Sequence, residues 1–183
     1  MAITIDEKQM ERIRNLKLLI LDVDGVMTDG RVIIDDLGNE TKHFDVKDGH
    51  GMKLLMKYGI DIVFLTGRTS KVVEHRAREL GVTGYYQGAI NKLEMLKEIL
   101  EKKGIEERCV AYIGDDLIDI PVLTRVGFSV AVADACRETR DAAHYVTSKR
   151  GGRGAVREVC EVILKAQGKW DIVASRYGFK PSL

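Results

Sequence analysis

No stretch of this 183-residue chain approaches the ~18 consecutive apolar residues that a membrane span needs, and the segment Met1 to Asn15 is polar and mixed in charge. Cysteine is scarce. Cys109, Cys136 and Cys160 are odd in number, far apart and without a Cys-x-x-Cys pair, which argues against a disulfide framework and a zinc site and fits a reducing cytosol. Charge of one sign is lacking too: 29 Lys and Arg stand against 28 Asp and Glu, so no long-range field gathers nucleic acid or anionic membrane. There is no internal repeat, no low-complexity tract and no linker rich in Pro or Ser. The expectation is a soluble, cytoplasmic protein of one folded unit over residues 1–183, without nucleic acid or membrane as a partner.

What is present is an alternation of short apolar runs and amphipathic stretches. Lys17 to Leu21 reads as a strand buried on both faces, and Ile60 to Leu65, Cys109 to Ile113, Phe128 to Ala131 and, more weakly, Tyr145 to Thr147 look alike. Helical patterns occupy roughly Gly51 to Tyr58, Ser70 to Leu80, Lys92 to Lys103, Ile118 to Arg125 and Ala155 to Ala166. Strands alternating with helices predict an α/β fold with parallel βαβ units. Two segments break the rhythm. Arg31 to Val46 reads as a β-hairpin around Asp36-Leu37-Gly38-Asn39, and Lys149 to Gly154 as a basic, glycine-rich turn. The tail from Lys169 to Leu183 has weak periodicity, and order there is expected only from contact with another surface.

The chemistry concentrates where predicted strands end. Asp22-Val23-Asp24-Gly25 leaves the first strand, and two carboxylates at i, i+2 beside a buried strand are costly unless a cation or a reaction uses them. A solvated turn at Asp24-Gly25 is the plainer alternative. Asp115, Asp116 and Asp119 follow the third apolar run, so two acidic clusters fall on one sheet edge, a pattern that suits Mg²⁺ together with a substrate phosphate. Asp119, just before Ile120-Pro121, serves equally well as a helix cap. Thr66-Gly67-Arg68 offers a hydroxyl, an approachable backbone and a helix start, which together suit a phosphate oxygen. Lys92 follows Asn91, which with Glu94 resembles a capping box. A cation in a first helical turn makes sense if it faces a phosphate.

In that order, Asp22-x-Asp24-Gly25-Val26-x-Thr28-Asp29-Gly30, Thr66-Gly67-Arg68, Lys92 and Gly114-Asp115-Asp116 resemble the four motifs of the haloacid dehalogenase superfamily of phosphotransferases. Further stretches, among them Phe44 to Gly51, Tyr86-Gln87-Gly88 and Gly151 to Cys160, narrow the resemblance to its phosphatases of sugar acid phosphates, an octulosonate 8-phosphate before a nonulosonate 9-phosphate. The resemblance implies a doubly wound Rossmann-like parallel sheet, a small hairpin insertion with no cap domain, and a homotetramer. It also implies Asp22 as nucleophile, Asp24 as general acid/base, and Mg²⁺ held by Asp22, the backbone carbonyl of Asp24 and Asp115, with Asp116 nearby. Phosphate would be bound by Thr66, Gly67 and Lys92. A sugar acid also carries a carboxylate, for which Arg68, Arg78 and Arg153 are the candidate partners, and His50 is a candidate for the pocket wall. His75 and His144 read as structural or surface residues. A receiver domain also carries acids and a lysine, but its phosphoacceptor ends the third strand and not the first. A catalytically silent module is the remaining alternative, and every polar residue that the chemistry requires is present.

Overall fold

The computed structural model describes residues 6–180. Its frame is a six-stranded sheet with every neighbouring pair parallel, built from β1 (Leu18–Leu21), β4 (Asp61–Leu65), β5 (Gly84–Tyr86), β6 (Val110–Gly114), β7 (Phe128–Ala131) and β8 (Tyr145–Val146). The order is β5-β4-β1-β6-β7-β8, so the chain winds outward in both directions from β1. That reversal opens a crevice beyond the carboxyl ends of β1 and its neighbours, the usual ligand position in open parallel sheets.

Apolar residues on successive positions of β1 divide the core between two faces. Leu19 and Leu21 pack in one cluster with Met52 and Leu55 of α2 (Val46–Lys57) and Val159 and Ile163 of α7 (Ala155–Ala166). Leu18 and Ile20 pack in the other with Leu96, Ile99 and Leu100 of α4 (Lys92–Lys103) and Val122 and Leu123 of α5 (Ile120–Leu123). All four β1 side chains are fully buried, each stabilising the fold by about 2 kcal/mol. The sheet is therefore covered on both sides, and polar groups collect at its edge.

The second sheet is the expected hairpin, shorter than its sequence span. Only β2 (Ile33–Ile34) and β3 (Glu40–Thr41) pair, and Val46 already opens α2 because Asp45 accepts the Lys47 N–H as its cap. The turn is closed by Asp35, whose carboxylate accepts from the N–H groups of Leu37 and Asn39. Among the described residues no further domain interrupts the sheet.

Other elements differ from the sequence reading. The helix expected from Gly51 begins one turn earlier, and Ile118 to Arg125 is a 3-10 turn at Leu117–Asp119 followed by the short α5. Five elements were not anticipated: α1 (Glu7–Arg14), β5, a 3-10 turn at Glu107–Cys109, α6 (Arg137–Ala142) and α8 (Trp170–Tyr177). The tail is thus helical over Trp170–Tyr177, with Val173 packed into the chain's own core and Ala174 buried beside it in sequence, and residues 181–183 lie outside the described residues. No described helix is long and apolar enough to cross a membrane.

Candidate active site

The loop after β1 begins with Asp22, whose N–H donates to the Ile113 carbonyl on β6 at 3.0 Å and whose side chain is buried. Thr28 ties the loop into a knot: its hydroxyl oxygen accepts the N–H groups of Gly25 at 3.3 Å and Gly30 at 3.2 Å. Gly25 has φ +91°, and a Cβ there would fall 2.0 Å from Asp115 Oδ2. Only glycine brings the two acidic loops this close. On the far side of the knot, a Cβ on Gly151 would collide with the Gly25 carbonyl oxygen at 1.7 Å, so the glycine-rich turn packs directly on this loop.

Beyond β6, Asp119 is fully buried. Its Oδ1 accepts from Lys92 Nζ and from the Tyr112 hydroxyl, both at 2.6 Å, and its Oδ2 accepts the N–H groups of Asp115 at 2.9 Å and Asp116 at 3.2 Å. Lys92, buried in the first turn of α4, also lies 3.0 Å from Asp22. Carboxylate oxygens of Asp22, Asp115 and Asp119 lie within 4.8 Å of one another.

Three acids against one buried ammonium leave the edge short of positive charge. Burial pushes Asp22 up to about 6 despite the pull of Lys92, with Asp119 adding to the rise. Burial, then Asp22 and Asp119, push Asp115 up to about 8. Burial also works against the Lys92 charge, but Asp22 and Asp119 outweigh it and hold the ammonium above the ordinary lysine range. A hard divalent cation relieves such crowding, and an all-oxygen donor set suits Mg²⁺. Both oxygens of Asp119 are committed to donors, so Asp22 and Asp115 are the members of the trio left to ligate.

Asp24 stands beside them, half-buried. Its Oδ1 accepts from the Lys42 ammonium, and Arg68 Nε lies 3.9 Å from its Oδ2. Lys42 is also paired with Glu40 at 3.2 Å, and Glu40 in turn takes Arg68 at 3.0 Å and the Ser70 hydroxyl at 2.5 Å. The Ser70 bond holds Glu40 below the usual carboxylate range, helped by Lys42. Thr66 is buried at the end of β4 with its hydroxyl oxygen accepting the Arg68 N–H at 3.2 Å, and a Cβ on Gly67 would meet only the Ala89 carbonyl at 3.8 Å and Ile118 at 3.9 Å, ordinary contact distances.

The structure therefore gathers Asp22, Lys92 and Asp115 into one cluster and sets Asp24 beside it with Arg68. It takes other sequence candidates elsewhere. The Asp116 side chain is exposed and caps Leu117, outside the cluster. Arg78 pairs with Glu74 one turn back on α3 (Lys71–Leu80), and Arg153 lies 3.6 Å from Asp29 beside a separate cavity of about 310 Å³ that Phe44 and Gly152 also line. His50 meets Tyr177 at 3.1 Å and Arg157 at 3.3 Å, and no member of the acidic cluster. Sequence reading left out Glu40 and Lys42, which bear on the site only through a chain reversal that no local pattern encodes, and Tyr112, whose hydroxyl reaches Asp119 from the strand seven residues before it, and it left Asp119 undecided between cap and site. Asp119 makes no side-chain cap bond to α5; its Oδ2 instead closes the capping box of the 3-10 turn that Asp116 caps, while its Oδ1 binds Lys92, so the buried carboxylate belongs to the site.

A parallel sheet carrying two acidic loops and a buried lysine at its carboxyl edge defines a hydrolase of the haloacid dehalogenase-like class, and residues 85–159 match that family of hydrolases. The chain is 51% identical over 162 residues to the 3-deoxy-D-manno-octulosonate 8-phosphate phosphatase of Escherichia coli, covering 88% of this chain and 86% of that one. The corresponding phosphatase from Moraxella catarrhalis, solved in complex with magnesium ion, phosphate ion and KDO, superposes with a TM-score of 0.91 at 43% identity over 93% of this chain and 98% of that one. The cobalt-bound deoxy-D-mannose-octulosonate 8-phosphate phosphatase of Haemophilus influenzae gives 0.87 at 38% identity over 91% and 98%. The chain belongs to the family of 3-deoxy-D-manno-octulosonate 8-phosphate phosphatases.

Proposed function

We propose that this protein is a Mg²⁺-dependent phosphatase that hydrolyses 3-deoxy-D-manno-octulosonate 8-phosphate to the free sugar acid and inorganic phosphate, a step of lipopolysaccharide precursor synthesis in the cytoplasm. The observation that carries it is the buried Lys92 held 3.0 Å from Asp22 inside the acidic edge, in a chain half identical to phosphatases of that name. Asp22 and Asp115, with the backbone carbonyl of Asp24, would hold Mg²⁺, which supplies charge neutralisation for a phosphoryl group. The Asp22 carboxylate attacks phosphorus, forming an acyl phosphate as the bond to the sugar oxygen breaks. Asp24 gives a proton to that departing oxygen and afterwards takes one from the water that cleaves the acyl phosphate. The Thr66 hydroxyl, the Gly67 N–H and Lys92 hold the phosphoryl oxygens. Arg68, whose guanidinium lies within 4 Å of Asp24, is the cation best placed to meet the substrate carboxylate.

A homotetramer is part of the same reading. With no cap domain over the crevice among the described residues, the hairpin stands out with Val32, Ile34 and Leu37 exposed, and such a strip suits self-association.

Phosphate release over a panel of sugar phosphates, with and without Mg²⁺, tests the assignment. The octulosonate phosphate should exceed both arabinose 5-phosphate and a nonulosonate 9-phosphate in kcat/KM, chelation should abolish turnover, and Asp22→Asn should do the same in a folded protein. Equal efficiency on arabinose 5-phosphate defeats the substrate, and Asp22→Asn activity within about tenfold of the parent defeats the nucleophile.

A further inference from the structure

One buried cation near the site has no part in the chemistry above. Lys42 follows β3, at the point where the hairpin returns to the body of the protein, and its side chain is 1% exposed. Taking an ammonium out of water costs several kcal/mol unless carboxylates meet it, and two do: Asp24 through Oδ1 and Glu40 at 3.2 Å. Anchoring the hairpin would explain Glu40 alone. It does not explain why the anchor closes on Asp24, a residue of the β1 loop.

We propose that Lys42 is a positioning residue for Asp24, fixing which of its two carboxylate oxygens exchanges the proton. This rests on the phosphatase reading. Lys42 occupies Oδ1, while Oδ2, with Arg68 Nε 3.9 Å away, is buried without a hydrogen-bond partner. Asp24 thus has one oxygen held and one left for the sugar oxygen and, later, for water. Lys42 is itself fixed through Glu40, which takes the Ser70 hydroxyl at 2.5 Å and Arg68 at 3.0 Å. Ser70 caps α3 and its N–H donates to Gln87 at 2.6 Å. A chain of side chains therefore runs from the start of α3 through Ser70, Glu40 and Lys42 to Asp24, locking the acid/base to the same turn that carries Thr66 and Gly67. In the reaction the proton passes from Asp24 to the leaving oxygen as the phosphorus–oxygen bond breaks. Lys42 keeps its own proton throughout.

The test separates positioning from mere support through the leaving group. A sugar alkoxide needs a proton to depart, p-nitrophenolate does not, and kcat/KM reports only the steps up to departure. Lys42→Met should lower kcat/KM on the sugar acid phosphate by about 10²-fold or more, as expected when general acid catalysis is lost, and by under about tenfold on p-nitrophenyl phosphate. Lys42→Arg, which restores a buried cation, should recover most of the loss and serves if the methionine variant unfolds. With Asp24→Asn already in place, adding Lys42→Met should cost less than about threefold. Equal losses on both phosphates, no loss on either, or a fully additive double variant overturns the positioning role. Asp22→Asn is the control: it should silence both phosphates whatever Lys42 does, and if it does not, the phosphatase reading itself has failed.

Discussion

Asp119 and Gly25 support the acidic edge in opposite ways, one by filling space with a carboxylate and the other by leaving it empty. Asp119 satisfies four donors, so the lysine, the tyrosine and the loop after β6 all take their positions from one side chain. Gly25 makes room for Asp115 and holds a left-handed backbone that other residues adopt at a cost of about 1–3 kcal/mol. Gly25→Ala should therefore displace Asp115, lowering turnover by roughly 10²-fold at saturating substrate, the scale of a mispositioned reacting group, while the protein still unfolds cooperatively at reduced temperature. Parent-like kcat from that variant would show that the Asp115 position does not depend on this contact. Asp22, Asp24, Thr66, Lys92 and Asp115 were legible as candidates because motif spacing survives in one dimension, and the structure brings Asp22, Lys92 and Asp115 together. Lys42 was not, because nothing near it in sequence marks it as buried.

Asp48 on α2 shows how one element can carry a pH dependence of its own. Its Oδ1 accepts the Arg157 N–H at 2.7 Å, so α2 caps the first turn of α7, which begins at a glycine that offers no side-chain cap. Burial pushes Asp48 up to about 6 from an ordinary 3.8, with the Arg157 N–H pulling the other way. The folded protein thus binds this proton more tightly than the unfolded chain does. The associated stability is full below about pH 4 and is lost as pH rises through about 6, by up to roughly 3 kcal/mol. Asp48→Asn keeps an acceptor for Arg157 and removes the titration, so denaturant unfolding at pH 5 and pH 8 should differ less in the variant than in the parent. An unchanged difference would assign the pH dependence to other groups. The sequence predicted α2 one turn too short, since the first turn holds Val46, Asp48, Gly49 and His50 in no apolar period and only the Asp45 cap reveals the start.

At the scale of the whole molecule, the hairpin is the part whose surface the single chain leaves unexplained. Leu37 is 87% exposed and Ile34 58%, an unusual disposition for two large aliphatic residues on one short ribbon. If copies associate through this strip as proposed, Ile34→Glu with Leu37→Asp should shift the protein toward monomer in light scattering and reduce activity with it, because water exclusion over an uncapped crevice would then fall to neighbouring copies. A parent protein that is monomeric and fully active would refute the tetramer, and a dissociated variant with undiminished activity would separate assembly from catalysis. The hairpin was legible as a hairpin from Gly38 and its flanking residues, but its outward apolar strip and inward Lys42 emerge only once the ribbon is folded.

The sequence alone determined the α/β alternation, the strands that carry Asp22, Thr66 and Asp115, and the helix that begins at Lys92, because burial on both faces of a parallel sheet leaves continuous apolar runs and chemistry at a strand end leaves fixed spacings. It did not determine β5, a three-residue strand too short to show a period, nor α1, α6 and α8, whose exposed residues outnumber their buried ones. The tertiary structure alone decided that Asp119 binds Lys92 and Tyr112, that Lys42 reaches Asp24 from eighteen residues away, and that Arg78 and His50 find partners outside the acidic cluster. The physical reason is the same in each case: the energy of a buried charge depends on what lies within a few ångströms of it, and that neighbourhood exists only after the chain has closed.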